Sequence, residues 1–307
     1  MRYVYLMVLL VFSGCAKPVT YSPDEVDPAQ LKKMLKDLTG LGYRHFYNPE
    51  ILEKSAFFIR DTWQAMGLDV SMQSYEFQGQ NLHNVIARFG PKEGPLIVVG
   101  AHYDVEGEID GADDNGSGVV GLLELGRLLH GSGVQLKHRV ELVAFTLEEQ
   151  PFFRTPYMGS EHYATSLREQ NTDVALMISL EMIGYFSSKK GSQTVPEQLK
   201  GLLPDVGNFI CVVGRDQEKA MAEKVVASMK SGATIPVATL IADPKLPGID
   251  QSDHQSFWSN NYPALMVTDT SYYRNKHYHK KSDKIKTLDL KSMAQVIQGL
   301  HKTLLDF

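Results

Sequence analysis

The chain has 307 residues, of which 43% are hydrophobic and 22% charged, with a net charge of −5 and an isoelectric point near 6.1. That is ordinary globular composition, and a chain of this length can bury a core without disulfide staples. It has no basic footprint for nucleic acid, no long like-charge run and no collagen-like or solenoid period.

Residues 1–14 read as a signal peptide. Arg2 supplies a short positive start, and Tyr3 to Phe12 is an unbroken apolar run of ten. A membrane span needs about 20 such residues, whereas a signal-peptide core needs fewer. Phe12-Ser13-Gly14-Cys15 resembles the lipobox of bacterial lipoproteins, with Phe12 standing where leucine is usual. That resemblance implies lipidation at Cys15, export, and anchorage to a bacterial membrane. Ala16, rather than aspartate, after the cysteine suggests the outer membrane, facing the periplasm. The alternative is an ordinary signal peptide cleaved nearby. Residues 15–27 read as a tether. Residues 28–307 show no clear linker and read as one domain. Cys211, the one cysteine besides Cys15, lies in the apolar run Phe209 to Val213 and reads as a buried small hydrophobe.

In chain order, Leu31, Met34, Leu35 and Leu38 repeat at helical spacing, and Leu52, Ala56, Ile59, Trp63 and Met66 make a second helix. Val70–Phe77 alternates as a strand. Asn84–Phe89 and Leu96–Ala101 are expected to be a strand pair about the turn Gly90 to Pro95. A largely buried helix comes next at Ser117–His130, then a strand at Val140–Thr146, a helix at Gly159–Arg168 and a strand at Val174–Leu180. Phe209–Val213, Pro236–Ile241 and Ala264–Thr268 read as further strands. Gln217–Lys230 and the segment carrying Leu290 to Leu304 read as helices. Alternating strands and helices imply an α/β sheet covered on both faces. The long loops 186–206 and 242–252 are candidate lids.

In open α/β sheets, ligands bind beyond the carboxyl ends of the strands. Here those ends lead to His102 and Asp104, to Glu148 and Glu149, to Glu181, and to Asp269 with His277 and His279 shortly after it. Four acid- or imidazole-bearing strand ends gather at one rim. Between the first two lies Gly111-Ala112-Asp113-Asp114-Asn115-Gly116-Ser117-Gly118. Alone it reads as a helix cap with aspartates suited to the dipole. It is no phosphate loop, because its acids repel phosphate and no Gly-Lys-Ser/Thr comes after it.

Together these motifs resemble the M28 family of zinc aminopeptidases. The matching residues are His102-x-Asp104, the Gly111–Gly118 segment, Glu148-Glu149, Met158-Gly159-Ser160, Leu180-Glu181-Met182, Ser252-Asp253-His254 and Tyr278-His279-x-x-x-Asp283. The resemblance implies a three-layer α/β/α sandwich around a mixed, mostly parallel sheet, with two zinc ions per chain. Asp114 would bridge them, His102 and Glu181 completing one site and Glu149 and His279 the other. Glu148 would be the general base, and Asp104 would fix the tautomer of His102. A cis peptide between Asp114 and Asn115 is implied as well. Glu181 departs from the aspartate often found at its position. The donor set suits zinc without thiolates. Two Zn²⁺ against three carboxylates leave one positive charge, which a bridging hydroxide would neutralise while serving as the nucleophile.

Other residues have plainer readings. His254 reads as a structural histidine capping the next helix, with shaping of the substrate pocket as the alternative, Asp253 as a helix N-terminal residue, and Asp283 as a group that caps or orients the loop. His277 competes with His279 as ligand. His45, His83, His130, His138, His162 and His301 read as solvated or structural. Phe152, Phe153 and Tyr157 line either a pocket for an apolar side chain or the core. Tyr185, Tyr272 and Tyr273 are candidate hydrogen-bond donors to a reaction intermediate. The leading function is an exported exopeptidase acting on free peptide N-termini. The alternatives are a single-zinc cyclase acting on N-terminal glutamine, a carboxypeptidase using Arg154 or Arg274 as carboxylate anchor, and a non-catalytic receptor on the same scaffold.

Overall fold

The structure, a computed structural model, describes residues 25–307; the expected signal peptide, Cys15 and residues 15–24 of the expected tether lie outside them. Packing begins within that tether: Val26 is buried in the core and the Glu25 carbonyl accepts from Arg127. Helices α1 (Pro28–Thr39) and α2 (Pro49–Ala65) both start with proline, where a helix needs no N–H. Asp27 caps α1 by accepting from the Ala29 N–H at 2.8 Å. Among the described residues no helix is long and apolar enough to cross a membrane.

The described residues form one eight-stranded sheet in the order β1-β2-β4-β3-β5-β8-β6-β7. The strands are β1 (Asp69–Phe77), β2 (Gln80–Phe89), β3 (Leu96–His102), β4 (Arg139–Phe145), β5 (Val174–Glu181), β6 (Ile210–Gly214), β7 (Val237–Ile241) and β8 (Ala264–Thr268). Strands β4, β3, β5 and β8 run parallel in the centre, β6 pairs parallel with β7, and the β1-β2, β2-β4 and β6-β8 pairs are antiparallel. The expected pairing of Asn84–Phe89 with Leu96–Ala101 is not made, because β4 lies between β2 and β3. The Gly90–Pro95 connection is too long for a tight hairpin, and its reach covers the two strand spacings, about 10 Å, that the jump requires.

Alternation along the strands builds a core on each face. Ile97, Val99 and Ala101 of β3 face one side with Leu142 and Ala144, under α1, α2, α3 (Gly116–Ser132), α5 (Lys219–Gly232) and α7 (Leu290–Asp306). Leu96 and Val98 face the other with Val143 and Phe145, under α4 (Gly159–Glu169) and α6 (His254–Ser259). Each fully buried leucine, isoleucine or valine here contributes roughly 1.5–3 kcal/mol. The result is the three-layer sandwich expected from the sequence, and it fixes the carboxyl edge of the parallel centre as a rigid platform.

Candidate active site

The four central strands are neighbours, so the segments leaving their carboxyl ends meet at one edge. His102 and Glu181 are the last residues of β3 and β5, Glu148 and Glu149 come just after β4, and His279 lies in the loop after β8. Left-handed backbone conformations turn the chain sharply around these groups: Leu147 (φ 55°) precedes the glutamate pair, Met182 (φ 52°) succeeds Glu181, and His279 itself has φ 52°. Non-glycine residues seldom adopt this region, and it concentrates at functional sites.

Two imidazole–carboxylate groups share Asp114. His102 Nε2 lies 3.5 Å from Asp114 Oδ1 and 3.4 Å from Glu181 Oε2. His279 Nε2 lies 3.1 Å from Asp114 Oδ2 and 3.3 Å from Glu149 Oε2. Glu148 stands beside both groups, its Oε2 3.8 Å from His102 Nε2. His277 stays outside, bonded through Nδ1 to Ser282 Oγ at 2.9 Å. Of the two histidines, the structure brings only His279 into the cluster.

Asp104 does more than orient a ring. Its carboxylate accepts the backbone N–H groups of Glu148 and Glu149, each at 3.0 Å, and so pins the turn that aims the two side chains differently. His102 Nδ1 donates to the Asp104 carbonyl at 3.2 Å and lies 3.5 Å from its carboxylate. A carbonyl only accepts, so Nδ1 carries a ring proton and Nε2 is the nitrogen that faces the cluster. Asp104→Asn should therefore cost about 1–3 kcal/mol in stability, because the amide NH₂ meets one of the two N–H donors. It should also lower kcat more than it raises KM. Denaturant unfolding and steady-state kinetics check both expectations; unchanged stability would contradict the pinning role.

The Asp114–Asn115 peptide is cis, as expected from the sequence. Asn115 ties the loop to β5: its Nδ2 donates to the Leu180 carbonyl at 2.8 Å, and its Oδ1 accepts from Gly118 and Met182. Position 118 must be glycine, because a Cβ there would lie 2.3 Å from Asn115 Oδ1. Asp283 orients this loop as expected, accepting from the N–H groups of Asp113 and Asp114. Several supports were not visible in the sequence. Asp113 accepts from Gly184 N–H and from Asn275 Nδ2, Ser252 Oγ donates to Glu181 Oε2 at 2.8 Å, and Arg44 is fully buried beneath the loop, bonded to three carbonyls. Their partners are far apart in sequence, and no local spacing marks them.

The site is crowded with buried acid. Burial pushes the Glu149 carboxyl up to about 8, with the neighbouring Asp114 adding to it, and burial likewise raises Glu148 and Glu181. Burial alone would lower His279, but Asp114 and Glu149 outweigh it and hold it at about 11; the carboxylates around His102 raise it too. Asp114 Oδ2 and Glu149 Oε1 are buried and make no hydrogen bond. Crowded like charges and orphaned carboxylate oxygens beside imidazole nitrogens are what a divalent cation satisfies. The donors fit zinc.

A cavity of about 240 Å³ opens from these residues. Val195, Leu199 and Leu203 of the loop 186–206 and Ile249 of the loop 242–252 form its walls, with Cys211, Val213 and Leu240 at its buried end. Phe153 lines it, Phe152 lines a smaller neighbouring cavity, and Tyr157 lines neither. Tyr272 and Tyr273 line the large cavity and Tyr185 does not; Tyr278, stacked on His279 at 3.7 Å, belongs to its wall as well. Cys211 is buried, and burial pushes its thiol up to about 12, which keeps it unreactive. Neither candidate carboxylate anchor lines the cavity: Arg154 pairs with Asp250, and Arg274 bonds Gln193 and the carbonyls of Tyr185 and Phe209.

Asp253 stands at the start of α6 as expected but does not cap it; both of its oxygens are buried and unpartnered. His254 is structural, with Nε2 on the Ile249 carbonyl at 2.8 Å and its ring edge-on to Trp258. Burial lowers His254 to about 4 from its ordinary 6.5. A base depressed on folding contributes stability that is present above its unfolded pKa and lost as pH falls through the folded one. The contribution of His254 to unfolding stability should therefore be lost between pH 6.5 and 4, so over that window the His254→Gln protein should gain on the order of 3 kcal/mol relative to the parent. Parallel pH–stability curves for the two proteins would contradict this.

Comparison with known proteins agrees with the geometry. Residues 84–304 match the model of peptidase family M28. The uncharacterized protein YfbL of Escherichia coli K12 is 40% identical over 97% of this chain and 94% of its own length. A probable leucine aminopeptidase of Arthroderma otae is 28% identical over 87% of this chain and 71% of its own. Among solved structures, the Legionella pneumophila LapA aminopeptidase superposes with a TM-score of 0.73 at 19% identity, over 92% of this chain and 72% of its own. The glutaminyl cyclase of Fimbriiglobus ruber gives 0.66 at 20% identity, over 91% and 95%. These two structural likenesses establish the fold.

Proposed function

The chain belongs to peptidase family M28, and from that premise we propose that it is an exported dizinc aminopeptidase removing N-terminal residues from peptides with a free amino end. The observation that carries this reading is the pair of imidazole–carboxylate groups sharing Asp114, with Glu148 beside them. His102, Asp114 and Glu181 would hold one zinc ion, and Asp114, Glu149 and His279 the other. Zinc so held supplies Lewis acidity, polarising the scissile carbonyl and lowering the pKa of a water to about 7.

The chain's own residues do the rest. Glu148 takes a proton from the attacking water and returns it to the departing amine nitrogen as the C–N bond breaks. Asp104 keeps Glu148 and Glu149 pointing to different tasks. The acidic rim attracts the substrate's ammonium group, and the apolar inner part of the large cavity takes its first side chain, favouring apolar residues. A glutaminyl-cyclase-like reading has the same fold behind it. The presence of both donor groups favours hydrolysis with two metals over a single-zinc transferase.

The test is product identification by mass after incubation with matched peptides, free and N-acetylated. Release of first residues from the free peptides alone, stopped by chelator and restored by zinc, is the expected result. Ammonia loss from peptides beginning with glutamine, without cleavage, would establish the cyclase instead. On the sequence of its first residues, we also propose anchorage through a lipid on Cys15, facing the periplasm. Cys15→Ser should move the protein from the membrane fraction to the soluble periplasmic fraction, as read by fractionation and immunoblot; retention in the membrane would contradict it.

A further inference from the structure

We propose that the smaller cavity, of about 110 Å³, seats the residue on the far side of the cleaved bond, and that Glu106 selects a cationic side chain there. This rests on the aminopeptidase reading. Buried Cys211, Val213 and Leu240 wall the inner end of the large cavity, which suits it to one apolar side chain entering from the reacting groups. Glu149 and Gln150 line both cavities. The two spaces therefore flank the reacting groups, and a chain whose first side chain fills one continues past the other.

The chemistry of the smaller cavity is distinct. His45, Phe46 and Tyr47 from the α1–α2 connection and Phe152 give it an aromatic wall, and Glu106 gives it an acid. Glu106 lies outside the five expected ligands. It nevertheless stands close to them: Glu106, Glu149 and His279 each place a donor atom within 4.8 Å of the others'. Its Oε2 is buried and makes no hydrogen bond. A buried carboxylate oxygen without a partner is costly, and a cationic group entering the cavity would satisfy it. Tyr47, 73% exposed, is the most exposed large hydrophobic among the described residues. An arginine or lysine stem lying along that ring would cover it while the charged head reaches inward. Acidic side chains would meet Glu106 and be rejected.

The test separates this inference from the reading beneath it by measuring binding without turnover. Zinc-loaded Glu148→Gln protein is titrated calorimetrically with Leu-Arg-Ala, Leu-Ala-Ala and Leu-Glu-Ala, all amidated. Arginine in second position should bind about tenfold tighter than alanine, and glutamate weaker than either. Adding Glu106→Gln should collapse the arginine-to-alanine ratio towards one, and Glu106→Lys should invert the order in favour of glutamate. Tyr47→Ala, a surface change that spares the fold, should lower the same ratio about threefold. Equal affinities for the three peptides would overturn the subsite and leave the aminopeptidase reading standing. Loss of zinc from the Glu106→Gln protein would make Glu106 a metal ligand and overturn it too. Failure to bind any of the peptides would overturn both.

Discussion

Glu148→Gln should lower kcat by about 10²–10⁴-fold, the range in which a positioned acid–base group acts, while the zinc content of the protein stays as in the parent. Glutamine keeps the shape of the side chain and its packing but neither accepts nor returns a proton. The backbone N–H of residue 148 still donates to Asp104, so the turn and the Glu149 ligand remain in place. KM should change little, since glutamine keeps the size of the side chain that Glu148 contributes to the wall of the large cavity. Paired measurement of steady-state kinetics and metal content makes the expectation specific. A parallel fall in zinc would make Glu148 a ligand, and activity within tenfold of the parent would move the base elsewhere.

Asp114→Asn should act at the other extreme and remove metal. Among the described residues Asp114 is the one carboxylate within 4.0 Å of both imidazoles, at 3.5 Å from His102 and 3.1 Å from His279. Loss of its charge weakens both positions at once, whereas Glu149→Gln or Glu181→Gln weakens one. Asn at 114 preserves size, and the backbone N–H still donates to Asp283, so the loop keeps its support. Zinc bound per chain after dialysis should fall below one, and activity should fall by at least 10³-fold with it, beyond the loss of any single ligand partner. Retention of two zinc ions would contradict the shared-carboxylate assignment.

The parts of the site that lie at strand ends were legible because two local signals coincide there: β-branched apolar runs mark the strands, and acids or histidines come directly after them. His102, Glu148, Glu149 and Glu181 were found that way, and the motif resemblance separated His279 from His277. The cis Asp114–Asn115 peptide came from the resemblance alone. What stayed hidden depends on contacts between distant segments. The sequence of Asn275 says nothing of Asp113, 162 residues away, and Arg44 looks like any basic residue between two helices, although it is buried against three carbonyls. Strand order was hidden for the same reason: Asn84–Phe89 and Leu96–Ala101 are adjacent in the chain, but β4 separates them in the sheet. Asp253 stands at the helix start that the sequence marked, but that its carboxylate leaves α6 uncapped was not legible, because side-chain direction depends on packing. Glu106 gave no signal at all, because its significance lies in a cavity wall assembled from three separate segments.

The most direct test of the two-metal account is a zinc count on the parent domain, purified without chelator and dialysed against trace-metal-free buffer. Elemental analysis against protein concentration should give two zinc ions per chain, with both lost to chelator and both regained on titration. One zinc per chain, saturating and catalytically sufficient, would contradict the account and turn the reading towards the single-zinc cyclases that share this fold.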